Sequence, residues 1–209
     1  MIDETIGDLE RDAVGELINI AIGRAAAALS ELVDDEVKLS VPFVEFSDAE
    51  CTARRLGIEM GGIETVAVRQ HFDGRMEGDI LLIFPEHRSL ELVRSMLGDQ
   101  VPLDQLTDLE REALLEIGNI ILNACLGSLA NQLGLTLESS LPAYVRGSPA
   151  RVLGGARPAG AQELVLFLHV DFELLNRDIS GYLAFVMDIV SARAFIDAVR
   201  ATLRPITGG

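Results

Sequence analysis

A chain of 209 residues, 49% of them hydrophobic and 24% charged, has the composition of a soluble globular protein with one large domain or two small ones. Its formal net charge of −16 at pH 7 argues against a nucleic acid or an anionic membrane as partner, because both need a basic face. Met1 is followed by acidic residues and no apolar run reaches the ~18 residues of a membrane span, so we expect a cytoplasmic protein without a membrane segment.

The first half of the chain predicts a long helix, a strand, a short helix, a hairpin and a further helix. Apolar residues recur at three- and four-residue spacings from about Ile6 to Leu32, with Asp8 as the predicted N-cap. Val37 to Phe46 alternates like a strand, and Pro42 inside it predicts an edge position or a bulge. The remaining predictions are a short helix at 48–56 ended near Gly57, strands at 65–72 and 78–84 with a turn at 73–74, and a helix at 86–97.

The second half predicts the same order of elements. A helix from Asp108 to about Leu133 ends at Gly134, and a strand at 135–145 carries Pro142. Residues 147–160, rich in Gly, Pro, Ala and Arg, predict a mobile loop. Strands at 164–172 and 181–187 form a second hairpin, and a last helix covers 191–203. The second hairpin turn is predicted to be three residues longer, because Phe72 matches Phe172 whereas Gly78 matches Gly181.

The strongest feature of the sequence is a repeat at an offset of 100 positions. Between Asp8 and Pro42, eleven residues have identical counterparts 100 positions later, without a gap. Most of them are not apolar, so a shared need for a hydrophobic core does not explain them. They are Asp8, Leu9, Glu10, Arg11, Ala13, Glu16, Asn19, Ile20, Leu29, Ser40 and Pro42. We infer an internal duplication, with repeats at about 8–98 and 108–203.

The repeated order of elements predicts an α+β fold with antiparallel strand pairing. Two pseudo-symmetric copies would pack together as a single domain over residues 1–209. We expect the two long helices to be exposed on one side while their apolar stripes pack against the sheet.

Each long helix presents a carboxylate and an amide on one face. Asp12, Glu16 and Asn19 are spaced by four and three residues, and Gly23 continues their face. The matching face of the second helix carries Glu112, Glu116, Asn119 and Asn123. A solvated surface explains one such pair, but asparagine is a poor helix former and yet recurs at the same place, followed after 22 residues by Pro42 or Pro142.

Other chemistries find little support in the sequence. Two carboxylates at i and i+4 are too few for a metal site, so we predict none. Cys51 and Cys125 stand alone and are predicted to be reduced thiols. We find no glycine-rich phosphate loop, no nucleophile elbow and no Cys–His pair.

At these residues the chain resembles the CheC/CheX/FliY family of chemotaxis phosphatases. The signature of that family is Asp or Ser, three residues, Glu, two residues, Asn, 22 residues and Pro. The first copy, D-AVG-E-LI-N with Pro42, matches fully, and the second, E-ALL-E-IG-N with Pro142, departs only in having Glu112 at the first position. Two motifs on one chain look like CheC, whereas CheX carries one motif and dimerises.

The resemblance implies hydrolysis of the aspartyl phosphate of the response regulator CheY. Asn19 and Asn119 would position the attacking water, while Glu16 and Glu116 would pair with a receiver lysine. Asp12, Glu112, Gly23, Pro42 and Pro142 would support the motif faces. No cofactor of its own is implied, because the receiver supplies Mg²⁺. The protein is expected to act as a monomer.

Two alternatives remain open at this point. The protein could be a non-catalytic binding protein for phosphorylated CheY or for a CheD-type receptor deamidase. A flagellar-switch component is a third possibility, which the lack of an appended switch domain in this sequence disfavours.

Overall fold

The computed structural model describes residues 6–33, 35–97, 106–154, 163–174 and 177–203. In chain order the elements are α1 (Asp8–Val33), β1 (Val37–Ser47), α2 (Ala49–Glu59), β2 (Thr65–Gly74), β3 (Gly78–Pro85), α3 (Glu86–Leu97), α4 (Leu106–Leu133), β4 (Leu137–Ser139), β5 (Ala143–Gly147), α5 (Pro149–Gly154), β6 (Glu163–Leu174), β7 (Arg177–Asp188) and α6 (Ile189–Leu203). The mixed helical and antiparallel architecture agrees with the predicted α+β class.

The strands form one antiparallel sheet in which the two halves of the chain exchange strands. The order is β1-β6-β7-β3-β2-β4, with β5 also pairing with β2. Strand β1 of the first half pairs with β6 of the second half, and β4 and β5 of the second half pair with β2 of the first. The two hairpins meet where β3 pairs with β7. Each half therefore completes the sheet of the other.

The outer strand registers repeat at the same offset of 100 positions. Val37 pairs with Leu174 as Leu137 pairs with Gly74, and Ser47 pairs with Val165 as Gly147 pairs with Thr65. These registers support the internal duplication, which stays a prediction from the sequence.

The sheet separates two hydrophobic layers, because successive strand residues point to opposite faces. One face packs against α1, α3, α4 and α6 in the larger core, and the other packs against α2 and α5. Burial of such apolar surface stabilises the fold by roughly 25 cal/mol per Å². Helices α1 and α4 are half-buried, since each buries one stripe and leaves the opposite stripe in solvent.

The predicted strand at 135–145 is wrong as a continuous element. Residues 140–142 lie outside any strand, so β4 ends at Ser139 and β5 begins at Ala143. In the first half the prediction of an edge strand with an irregularity is confirmed, because β1 lies at the sheet edge and its register shifts between Ser40 and Phe43, around Pro42. A proline has no N–H to donate, which accounts for a break in each strand ladder.

The predicted loop at 147–160 is wrong in its first part. Helix α5 forms there, beginning directly after Ser148, whose hydroxyl oxygen accepts a hydrogen bond from Arg151 N at 3.4 Å. Two buried residues, Val152 and Leu153, attach this helix to the smaller core. Tertiary packing thus overrides the helix-breaking composition, and residues 155–160 lie outside the described residues.

Several helix ends also differ from the predictions. Helix α2 runs through Gly57 to Glu59, and Asp48 caps its start by accepting a hydrogen bond from Cys51 N at 2.7 Å. Helix α1 begins at Asp8 itself, and α4 begins at Leu106, so the predicted N-cap Asp108 lies inside the helix. Gly134 follows α4 with φ of +62°, which confirms its predicted role as the helix stop.

The hairpin predictions need two corrections. The first turn was expected at residues 73–74, but β2 continues to Gly74 and the connection covers residues 75–77. Strand register places Ile179 opposite Phe172, where the first hairpin places Gly78 opposite Phe72. The equivalent of Gly78 is therefore Ile179 and the offset is 101, not the 103 that matching Gly78 to Gly181 suggested.

Both long helices are long and apolar enough to span a membrane by length and composition alone. The two segments are Asp8–Leu32 and Leu109–Leu133, and an apolar stretch of 18 residues within each is 39% and 50% buried. Core helices of globular domains show the same composition, and here the buried apolar stripes pack on the sheet while carboxylates occupy the outer faces.

Candidate functional site

The motif on α1 lies on the solvent-facing side of the helix. Asp12, Glu16, Asn19 and Gly23 are exposed, and the intervening Val14, Ile18 and Ala21 are buried against the sheet. The helical period produces this separation, because residues three and four apart share a face. Among the described residues, none hydrogen-bonds to the side chains of Asp12, Glu16 or Asn19. Their carboxylates and amide are thus available to a partner.

Gly23 is not required by packing within this chain. A Cβ atom built at Gly23 meets nothing within 4 Å. Its predicted role in supporting the motif face therefore stays a prediction.

The motif on α4 has a similar solvent-facing side, but the opposite side of the helix packs more closely against the sheet. Glu112 and Glu116 are exposed, whereas Asn119 is half-buried. Between them Gly118 is buried against β2, and a Cβ built there would lie 2.5 Å from Val68 Cγ1. The glycine thus lets α4 approach the sheet closely beside Asn119, whereas the matching position on α1 is the fully buried Ile18.

The two motifs form two separate sites. The helices touch where Gln132 Nε2 donates to the backbone oxygen of Leu17 at 3.3 Å, so the end of α4 lies beside the first motif. Glu116 is on the same helix as Gln132, about 24 Å away along the axis at 1.5 Å per residue. One partner residue therefore cannot contact both motifs at once.

Asn119 belongs to a hydrogen-bonded network that the first site lacks. Its Oδ1 accepts from Asn123 Nδ2 at 2.7 Å, and Asn123 Oδ1 accepts from Gln70 Nε2 at 3.0 Å. Gln70 Nε2 also donates to the backbone oxygen of Ser140 at 2.8 Å, and Ser139 Oγ lies 3.3 Å from Asn123 Oδ1. Sequence reasoning singled out Asn123 but missed Gln70, Ser139 and Ser140.

The two motif prolines lie in the sheet region and not on the helical faces. Pro42 falls in the register shift of β1, and Pro142 falls between β4 and β5. Ser140, two residues before Pro142, accepts from Gln70 and exchanges hydrogen bonds with the backbone of His71. The break at Pro142 thus frees a backbone carbonyl of Ser140 to contact the network behind Asn119.

A metal-ligand cluster was not predicted at either motif. Across the described ranges, no three His, Cys, Asp or Glu side chains come together in a way that could hold a metal ion. The side chains available for chemistry are a carboxylate that can accept from a cation and an amide that can both accept and donate. That set suits binding a basic group and orienting a small polar molecule.

Comparison with known proteins finds a family match over the first motif. The model of the CheC-like family matches residues 9–45, which contain the whole first motif. CheC1 of Halobacterium salinarum is 22% identical over 197 residues, covering 93% of this chain and 99% of its own. The CheY-P phosphatase CheC of Bacillus subtilis is 25% identical over 142 residues, covering 66% of each chain.

Solved structures share the fold. FliY of Thermotoga maritima has a TM-score of 0.73 at 20% identity, covering 94% of this chain and 98% of that one. The FliM middle domain from H. pylori has a TM-score of 0.63 at 10% identity, covering 92% and 99%. The motif, the family match and the two relatives together support a likeness of this chain to the CheC/CheX/FliY family.

Proposed function

We propose that the protein hydrolyses the aspartyl phosphate of a CheY-type response regulator. The observation that carries the proposal is the presence of two solvent-facing helical surfaces, each with a glutamate and an asparagine one turn apart. The Bacillus subtilis relative with a CheY-P phosphatase name supports the same activity.

The reaction needs little covalent chemistry from this chain. In an aspartyl phosphate the acyl–phosphoryl bond is already activated, and the receiver is expected to supply Mg²⁺. A water oxygen bonds to phosphorus, the bond from phosphorus to the aspartate oxygen breaks, and the electron pair stays on the carboxylate. The products are inorganic phosphate and the free aspartate. The task left to the phosphatase is to hold the water in line.

The motif side chains suit this task. The amide of Asn19 or Asn119 can accept a hydrogen bond from water through its oxygen and donate one through its nitrogen. Glu16 or Glu116, one turn before it, would bind a basic group beside the phosphoryl site and fix the docking register. Two separate motifs would allow one chain to serve two receivers.

The test follows the decay of phosphorylated CheY with and without the protein. Replacing both Asn19 and Asn119 by Ala should lower the acceleration by roughly 10²-fold, as loss of a positioned polar group in an active site does. Asn131→Ala is the matched control, because Asn131 is exposed on α4 outside the motif. It should leave the rate unchanged.

Full activity of the double variant would refute the assignment of these residues. Tight binding of phosphorylated CheY without faster decay would favour the binding-protein alternative. The same purified protein can then be titrated with a CheD-type deamidase, for which a stable complex would identify the adaptor role.

A further inference from the structure

We infer that Asn123 is a positioning residue that fixes the amide of Asn119, so that the two motif sites of this chain are unequal. The inference rests on the proposed function, because it assigns the second site a preorganised amide and the first site a mobile one. The network behind Asn119 carries it.

The network begins at a buried side chain. Gln70 in β2 is 2% exposed, and its Nε2 donates both to Asn123 and to Ser140. Its Oε1 is buried and has no hydrogen-bond partner among the described residues. Burying an amide oxygen without a hydrogen-bond partner costs free energy, so the hydrogen bonds of Gln70 itself do not account for its burial. In its buried position Gln70 provides a fixed hydrogen-bond donor for Asn123 and Ser140.

Asn123 transmits that fixed position to Asn119. Its oxygen accepts from Gln70 and its nitrogen donates to Asn119 Oδ1, which defines the orientation of both amides. With its oxygen held, Asn119 presents its Nδ2 group away from Asn123. Hydrogen bonds in such a chain polarise one another, which strengthens Asn119 as a donor.

The first site lacks the two amides that stand behind Asn119 in this network. At the offset of 100 that the strand registers share, Gly23 replaces Asn123 and the buried Val170 replaces Gln70. Asn19 has no side-chain hydrogen bond to any described residue. Its amide must therefore be ordered when a partner binds, which costs conformational entropy that the second site has already lost.

The kinetic test uses an Asn19→Ala background, in which only the second motif is intact. Adding Asn123→Ala should lower kcat for phosphorylated CheY by about two- to tenfold, the rate equivalent of one neutral hydrogen bond, and should leave KM unchanged. Adding Asn131→Ala in the same background is the matched control and should change neither constant. An unchanged kcat, or a loss confined to KM, would overturn the inference.

A second variant isolates the donated hydrogen bond. Asn123→Asp keeps the oxygen that accepts from Gln70 and Ser139 but removes the donor to Asn119. Measured at 0.5 M salt to screen the added charge, it should lower kcat as much as Asn123→Ala does. Retention of full kcat would contradict a positioning role.

A measurement without phosphatase turnover separates this inference from the proposed function. Nitrogen relaxation of side-chain amides should show Asn119 more ordered than Asn19 in the unaltered protein, and Asn123→Ala should remove the difference. Equal order of the two amides in the unaltered protein would overturn the inference. Failure of the proposed function would instead appear as no acceleration of decay by the unaltered protein.

Discussion

Replacement of Gly118 by alanine tests how closely α4 must approach the sheet. A methyl group there would lie 2.5, 2.6 and 2.8 Å from Val68 Cγ1, Cβ and Cγ2. All three distances are shorter than real carbon contacts, and Val68 is fully buried in the middle of β2. Since Val68 is β-branched and its rotamer is restricted, the helix or the strand must move.

Two opposed contributions determine how much Gly118→Ala changes the free energy of unfolding. Alanine in place of glycine favours a helix interior by about 1 kcal/mol, whereas overpacking of a core costs about 1–3 kcal/mol. Gly127→Ala isolates the first term, because Gly127 is exposed in the same helix and a Cβ there meets nothing within 4 Å. The Gly118 variant should therefore unfold with a free energy about 1–3 kcal/mol below that of the Gly127 variant.

Urea denaturation followed by far-ultraviolet circular dichroism measures both free energies of unfolding. If Gly118→Ala were as stable as Gly127→Ala, the close approach of α4 to β2 would impose no constraint and the reasoning would fail. Combining Gly118→Ala with Val68→Ala sharpens the test, because the smaller side chain makes room for the methyl group. The two changes should couple favourably in a double-mutant cycle.

Two further predictions concern buried polar groups. The Oε1 atom of Glu110 lies 2.7 Å from Ser89 Oγ, and burial raises the pKa of this carboxyl group. The folded state therefore holds the proton more tightly than the unfolded state does. As a result, the free energy of unfolding falls as pH rises from the ordinary carboxyl pKa through the raised one. Glu110→Gln should remove this decline and be more stable than the unaltered protein at pH 7 in urea titrations; a parallel pH profile for both proteins would contradict it. Burial also raises the pKa of Cys125 to about 12, whereas Cys51 is exposed. A thiol reagent should therefore modify one cysteine in the native protein and two in urea. Cys51→Ser should abolish the native reaction, and rapid modification of two thiols without denaturant would show that Cys125 is accessible.

Local patterns were sufficient to predict most elements. The apolar stripes of α1 and α4 define amphipathic helices without reference to the rest of the chain, and both helices lie where the periodicity placed them. Pro42 predicted an edge position or a bulge because a missing N–H is a local property. The exposed faces bearing Glu16 and Glu116 follow from the same helical period.

Where local chemistry was ambiguous, the predictions failed. Residues 149–154 contain proline and glycine, yet they form α5 because Val152 and Leu153 are buried in the smaller core, on the face of the sheet that also packs against α2. Residues 140–142 alternate like the strand on either side but leave the ladder. For α5 a contact with a distant segment decides the conformation, whereas at residues 140–142 the missing N–H of Pro142 interrupts the ladder.

The sequence alone determined the repeat, the two motif faces and the elements that carry them, because each depends on spacing along one helix or one strand. Only the tertiary structure decided that β1 completes the sheet of the second half and that β4 and β5 complete that of the first. It also decided that Gln70, distant in sequence from α4, lies behind Asn123 and Asn119. Pairing between strands and side-chain contacts across a core depend on which segments meet in space, and no period along the chain encodes that.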